Sequence, residues 1–150
     1  MRYHIRYRMA ERIVVDTNVL VAALRSRRGA SFRLLSRVGM SDRFQICLSV
    51  PLLFEYEHAA KRQSRELSLT YADIDRVLDY LCSVANLQEI FFLWRPFLPD
   101  PRDDFLLELA VAGSCETIVT VNVRHFDGIK EFGVRAEAPK AFLQRIGELS

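Results

Sequence analysis

Arg12-Ile-Val-Val-Asp-Thr-Asn-Val-Leu-Val21 is the stretch on which the reading of this chain turns. Ile13, Val14 and Val15 form a short β-branched run, and Asp16 follows at once. An unbroken apolar run predicts a strand buried on both faces rather than an alternating surface strand. Thr17 and Asn18 supply turn and cap chemistry, and the apolar run resumes through Leu24, which predicts a helix. Asp16 is thereby set at the carboxyl end of a core strand, the edge where ligands bind in open α/β sheets. A carboxylate there is costly to bury unless a positive group meets it. On this stretch alone, a plain helix cap or turn residue is an equal reading of Asp16.

The chain has 150 residues, half of them hydrophobic, which suits one domain with a real core and argues against disorder. The net charge of +2 is too small to imply nucleic-acid binding by itself. Its distribution says more: Arg2, Arg6, Arg8 and Arg12 crowd the start, and Arg25, Arg27, Arg28, Arg33 and Arg37 follow the first motif. This reads either as a solvated face or as a basic half-surface suited to a phosphate backbone. Cys47, Cys82 and Cys115 have no metal-binding spacing and leave an odd thiol, so buried free cysteines in a reducing cytoplasm are expected. No run is apolar enough to span a membrane, and the basic start lacks an apolar signal core. Residues 1–11 read as a basic extension expected to be disordered, with Met9 an alternative start, and residues 12–150 as the folded domain.

Further along, Gly29 and its flanking charges break the first helix, and Ser31 is placed to cap a second that ends near Gly39. Phe44 to Leu48 reads as a strand, and Ser49 as the cap of a helix with Pro51 in its first turn. Thr70 to Ala85 has helical spacing, and Thr70 with Asp73 has the shape of a capping box. Leu87 to Leu93 reads as a third strand, and Pro96, Pro99 and Pro101 mark a loop. A helix is expected from Asp103 or Asp104 to Gly113, then a strand from Thr117 to Thr120, then mostly loop to Gly133. Val134 to Ala136 reads as a last strand and Pro139 to Leu149 as a last helix. Strands alternating with helices predict an α/β fold, a central parallel sheet of about five strands with helices on both faces.

Acids recur where Asp16 leads one to look. Glu55 and Glu57 lie in the helix after the second strand, and helical periodicity does not choose between them. Asp100, Asp103 and Asp104 follow the proline loop, and Asn122 follows the fourth strand. Each has an ordinary alternative as a cap, turn former or solvated acid. Gathered at one sheet edge, however, carboxylates repel and call for a cation. Oxygen donors without His or Cys favour Mg2+ or Mn2+ over zinc. Such an ion suits phosphate-ester chemistry.

Asp16-Thr-Asn-Val-Leu, Ser49-Val-Pro-Leu-Leu-Phe-Glu55-Tyr, Asp100-Pro-Arg-Asp103-Asp-Phe-Leu-Leu-Glu-Leu-Ala110 and Ile118-Val-Thr-Val-Asn122 come in one order. Together they resemble the signature blocks of PIN-domain proteins, in particular the VapC-like toxins of toxin–antitoxin pairs. The resemblance runs from about Arg12 to Phe126. It implies a single PIN-like domain and a metal-dependent endoribonuclease. Asp16, Glu55 and Asp103 match the family's metal-binding acids, which singles out Glu55 over Glu57. Asp100 and Asp104 match positions that are often acidic, and Thr17 and Asn18 the small polar pair beside the first acid. Many relatives carry Asp where this chain has Asn122, so a second tightly held metal is in doubt.

The expected chemistry is hydrolysis of an RNA phosphodiester with Mg2+ or Mn2+ held by Asp16, Asp103 and Glu55. Asn122 would complete the site, and Arg25, Arg27 and Arg28 would contact phosphates. His125 is a weaker candidate as a proton carrier. The resemblance also implies an antitoxin partner and homodimerisation. A binding module of little activity, acting through an antitoxin complex, is the alternative that Asn122 keeps open. A haloacid-type phosphatase is disfavoured because Asn18 stands where that chemistry wants a second Asp. There is no Gly-rich phosphate loop either.

Overall fold

Ile13, Val14 and Val15 point alternately to opposite sides of their strand, yet all three are buried. The sheet they belong to is therefore covered on both faces. The computed structural model describes residues 10–89 and 97–150. The chain runs from β1 (Glu11–Val15) through α1 (Thr17–Arg25), α2 (Ala30–Arg37) and β2 (Phe44–Leu48). It continues through α3 (Val50–Arg62), the short α4 (Ser64–Leu67), α5 (Tyr71–Val84) and β3 (Asn86–Leu87). Then come α6 (Pro101–Ala112), β4 (Thr117–Val119), two 3-10 turns, β5 (Arg135–Glu137) and α7 (Pro139–Arg145). The five strands form one parallel sheet in the order β3-β2-β1-β4-β5. The expected parallel α/β architecture is thus the observed one.

The strand order matters for function. The chain moves outward from β1 through β2 to β3, then returns to the other side of β1 for β4 and β5. Between β1 and β4 the connections leave in opposite directions, which opens a crevice beyond the carboxyl ends of those two strands.

Several element ends differ from the sequence expectations, each for a local reason. Asp100 caps α6, with Pro101 in its first turn, so that helix begins before Asp103. Proline fits there because its missing N–H would have no helical partner and its φ is preset. Gly29 rather than Ser31 occupies the cap of α2, and Ser31 is buried within the helix. The last helix stops at Arg145 instead of Leu149, and Gly147 follows with φ +83°. β5 lies one residue later than expected, and β1 begins at Glu11, one residue before the expected domain start. The third strand has only Asn86 and Leu87 among the described residues; residues 90–93 of that expectation lie outside them, as do Pro96 of the proline loop and residues 1–9. Ser49 and Thr70 cap as expected, and Thr70 with Asp73 completes the capping box.

Gly39, just after α2, has φ +77°, and an added Cβ would come within 2.5 Å of the Tyr80 hydroxyl. Close packing of α5 therefore requires glycine at that turn. The three cysteines are free; Cys47 and Cys115 are buried, and Cys82 is half-buried. No helix among the described residues is long and apolar enough to cross a membrane.

A half-buried ion-pair network joins the start of β1 to β5 and α7. Arg145 donates to both carboxylate oxygens of Glu11, at 3.0 and 2.8 Å, and to Glu137 at 2.9 Å. The Thr117 hydroxyl also donates to Glu11. Burial pushes the Glu11 carboxyl up, but the hydrogen bonds from Arg145 and Thr117 and the nearby arginine charges outweigh it, leaving its pKa lowered from 4.5. Stability from this carboxylate is therefore fully present above about pH 4.5 and is lost as pH falls through its lower folded-state value. Arg145→Ala is expected to cost about 2 kcal/mol, less than for a fully buried pair because Arg145 is partly exposed. Urea denaturation at pH 7 checks the loss. Glu11→Gln should flatten the acid limb of the stability curve below pH 4.5.

Candidate active site at the sheet switch point

Asp16 is the first residue beyond β1, at the mouth of the crevice. Its backbone N–H donates to the Val119 carbonyl at 2.9 Å, so β4 fixes its position. It stands at the cap position of α1, yet its side chain makes no capping hydrogen bond. The carboxylate instead accepts from the Thr120 hydroxyl at 2.8 Å and from the Asn18 amide at 3.2 Å, both at Oδ2. Thr120 is fully buried, and its hydroxyl oxygen also accepts from the Asn122 backbone N–H at 3.0 Å. Asn18 Oδ1 accepts from the Val121 N–H at 3.3 Å. Asn18 and Thr120 thus tie the start of α1 to the end of β4.

Glu55 is brought to the same place by α3. The Thr17 hydroxyl donates to its Oε1 at 2.9 Å. Tyr56, the next residue, is buried and donates its hydroxyl to the Val15 carbonyl, which pins α3 against the end of β1. Burial, together with the charges of Asp16 and Glu55, pushes the Tyr56 pKa well up, so this phenol remains a donor. Glu57 faces elsewhere: it pairs with Lys61 at 2.8 Å, and Lys61 pairs in turn with Asp75 of α5. The choice that periodicity left open is therefore made by packing.

The three acids near the start of α6 have separate tasks. Asp100 caps the helix by accepting from the Arg102 N–H at 3.0 Å. Asp104 Oδ1 accepts from the backbone N–H groups of Phe97 and Leu98, at 3.2 and 3.0 Å, and so anchors the incoming loop. Asp103 has neither duty. Its Oδ2 is buried and has no hydrogen-bond partner among the described residues; His125 Nδ1 stands 3.6 Å away.

These side chains line one open cleft of about 600 Å³. Asp16, Glu55, Asp103, Asp100, Asn122, Thr17 and Asn18 all border it, and so do Arg25 and His125. Asp104 does not. Arg27 and Arg28 do not either; with Arg33 and Arg37 they line a separate basic groove of about 310 Å³. His58, Arg62 and Arg102 border the cleft but were not singled out in the sequence. Nothing in their local pattern marks them, because helical surface residues of this kind occur throughout the chain. Thr120 and Tyr56 were also missed. A hydroxyl in the last position of a predicted core strand, opposite Asp16, was the available signal for Thr120.

The cleft is electrostatically strained. Burial raises the Asp16 pKa and the charge of Glu55 adds to the effect, against the hydrogen bond from Thr120. Burial and the charges of Asp16 and Asp100 push Asp103 up to about 6, against the opposing effect of His125 and Arg102. Among the described residues, no three carboxylate, imidazole or thiol side chains converge tightly enough to enclose an ion as they stand. The donors nonetheless fit a hard divalent cation by chemistry: they are oxygens, mutually repelling, with one buried oxygen left unpartnered.

A family model described as PIN domain matches residues 12–124. The chain belongs to the PIN-domain family. No curated protein matches it. Among solved structures, this PIN domain is similar to the crystal structure of VapBC2 from Rickettsia felis bound to a DNA fragment from their promoter. The likeness covers 85% of this chain and 98% of that one, at 16% identity and a TM-score of 0.57, and is a likeness of fold. PIN domains are generally nucleases.

A carboxylate whose pKa is raised on folding costs stability once it ionises. For Asp103 that cost grows as pH rises from about 4 and saturates above about 6. Solvent at the cleft screens it to roughly 1 kcal/mol. In chelator, Asp103→Asn is therefore expected to be more stable than the parent at pH 7.5, with the advantage vanishing near pH 4. Thermal melts across that range check this, and a less stable variant at pH 7.5 would show Asp103 to be a structural anchor instead.

Proposed function

We propose that this PIN domain is a divalent-metal-dependent endoribonuclease, the VapC-like toxin of a toxin–antitoxin pair acting in the cytoplasm. One observation carries the reading: Asp16, Glu55 and Asp103, from three distant segments, border one cleft at the switch point, and the Asp103 Oδ2 there lacks a partner. Asp16, Asp103 and Glu55 would hold Mg2+ or Mn2+. A bound ion of this kind supplies polarisation of the phosphodiester and neutralisation of its developing charge.

The chain's own residues have complementary tasks in this reading. Thr120 and Asn18 hold the Asp16 carboxylate in one orientation, and Thr17 holds Glu55. Ion binding offsets the repulsion that raises Asp103. Asn122 offers its amide to the phosphate at the cleft mouth. Arg25, on the cleft rim, is placed for a phosphate contact, although its guanidinium also donates to Gln63 at 2.6 Å. Arg27 and Arg28 would meet the strand further along, in their separate groove. An antitoxin partner and a homodimer are part of the same proposal, by analogy with the family.

A second reading, a PIN-fold module of little activity that works through its antitoxin complex, draws on two observations. Asn122 brings no charge to the site, and the acids do not form a ready cage among the described residues.

The purified chain is expected to cut single-stranded RNA with Mg2+ and to stop on chelation. Asp16→Asn should reduce cleavage to background while its circular dichroism and melting remain those of a folded protein. Absence of cleavage by the parent would favour the second reading, and metal-independent cleavage would overturn the metal assignment. Replacing Arg27 and Arg28 by Gln should lower the slope of log affinity against log salt by roughly 1.4, the loss expected for two phosphate contacts to a single strand.

A further inference from the structure

Beside the cleft, between the first turns of α3 and α6, lies a second, smaller hollow of about 110 Å³. Its lining is largely apolar: Pro51, Leu52 and Leu106 line it beside Ser49, and Leu52 and Leu106 are almost fully buried. One wall is the Phe105 ring, which is 45% exposed, a large apolar surface that the fold leaves uncovered. Glu55 and Arg102 also line the hollow, and both of these border the cleft. The two hollows therefore adjoin along these two side chains.

Size limits the occupant. Pockets for whole small molecules run to roughly 300–1,000 Å³, and a stable protein partner needs a far broader surface. A hollow this small takes one ring-sized group. Because it adjoins the cleft through Glu55 and Arg102, that group is best assigned to a substituent of whatever the cleft binds. On the nuclease reading, on which this inference rests, the substituent beside a scissile phosphate is a sugar bearing a base. A base has two apolar faces and a polar edge, which match the apolar lining, the Phe105 wall and Arg102. Single-stranded RNA is commonly held in this way, by bases splayed onto aromatic rings and guanidinium planes.

We propose that this hollow is a nucleobase subsite, in which the base next to the scissile phosphate stacks on Phe105 with Arg102 over its edge. It makes Phe105 a specificity-determining residue and selects unpaired RNA, because a base held within a duplex cannot enter. The subsite does not alter the acids, so its removal weakens substrate binding rather than the chemistry at the phosphate.

The test uses full-length Asp103→Asn protein, which is not expected to cleave, and short single-stranded RNAs with 2-aminopurine at each position in turn. Quenching at one position is expected on binding. Adding Phe105→Ala should abolish that quench and weaken binding roughly 5- to 100-fold, the range for loss of one base–aromatic stack. Phe105→Trp should restore both. Tight RNA binding with a quench unchanged by Phe105→Ala would overturn the subsite and leave the nuclease reading standing. Failure of any RNA to bind would overturn both. A change in molar mass by light scattering in Phe105→Ala, with the quench intact, would reassign the face as a contact between copies of the chain.

Discussion

The candidate site depends on holding a carboxylate at the point where the sheet reverses its direction of winding. Asp16 cannot turn to water there, since it is almost fully buried. It is oriented by a hydroxyl from just beyond the neighbouring strand, an amide from its own helix and a backbone bond to Val119. Thr120 performs the central service: one hydroxyl oxygen donates to the acid and receives the Asn122 N–H. The crevice, the cleft and the grouping of distant acids all follow from that arrangement at the β1–β4 edge.

The start of α6 shows how a run of like residues is divided by geometry. Asp100, Asp103 and Asp104 lie within five positions, but a cap, a cleft-facing acid and a loop anchor occupy different sides of one helical turn. Asp104 answers backbone donors and Asp103 does not, so two neighbours of equal burial meet opposite environments. Burial and the charges of Asp16 and Asp100 push the Asp103 pKa up, against His125 and Arg102. A buried carboxylate so placed is costly to ionise, and a cation would offset that cost.

Much of the architecture was legible because it rests on short-range physics. The β-branched run before Asp16, the Ser49 and Thr70 caps and the alternation of strands with helices led directly to a parallel α/β sheet. Asp16, Glu55 and Asp103 were readable as a group through motif order, and the cleft does bring them to one place. Tertiary contacts were less legible. Periodicity could not separate Glu55 from Glu57, because the choice is made by Thr17 on one side and by Lys61 on the other. Arg27 and Arg28 follow Arg25 by two and three positions, yet the helix end sends them into another groove. Thr120 looked like an ordinary strand residue until its partner across the sheet was known.

The Tyr56 contact with Val15 has a mechanical consequence. It ties the helix that carries Glu55 to the strand that ends at Asp16. Asp103 rides on a different helix, reached through a loop that its neighbour Asp104 secures. The cleft thus has one wall built from the end of β1 and α3 and another built from α6. Any ion held by all three acids would bridge these two walls and so cross-link α6 to the β1–α3 unit.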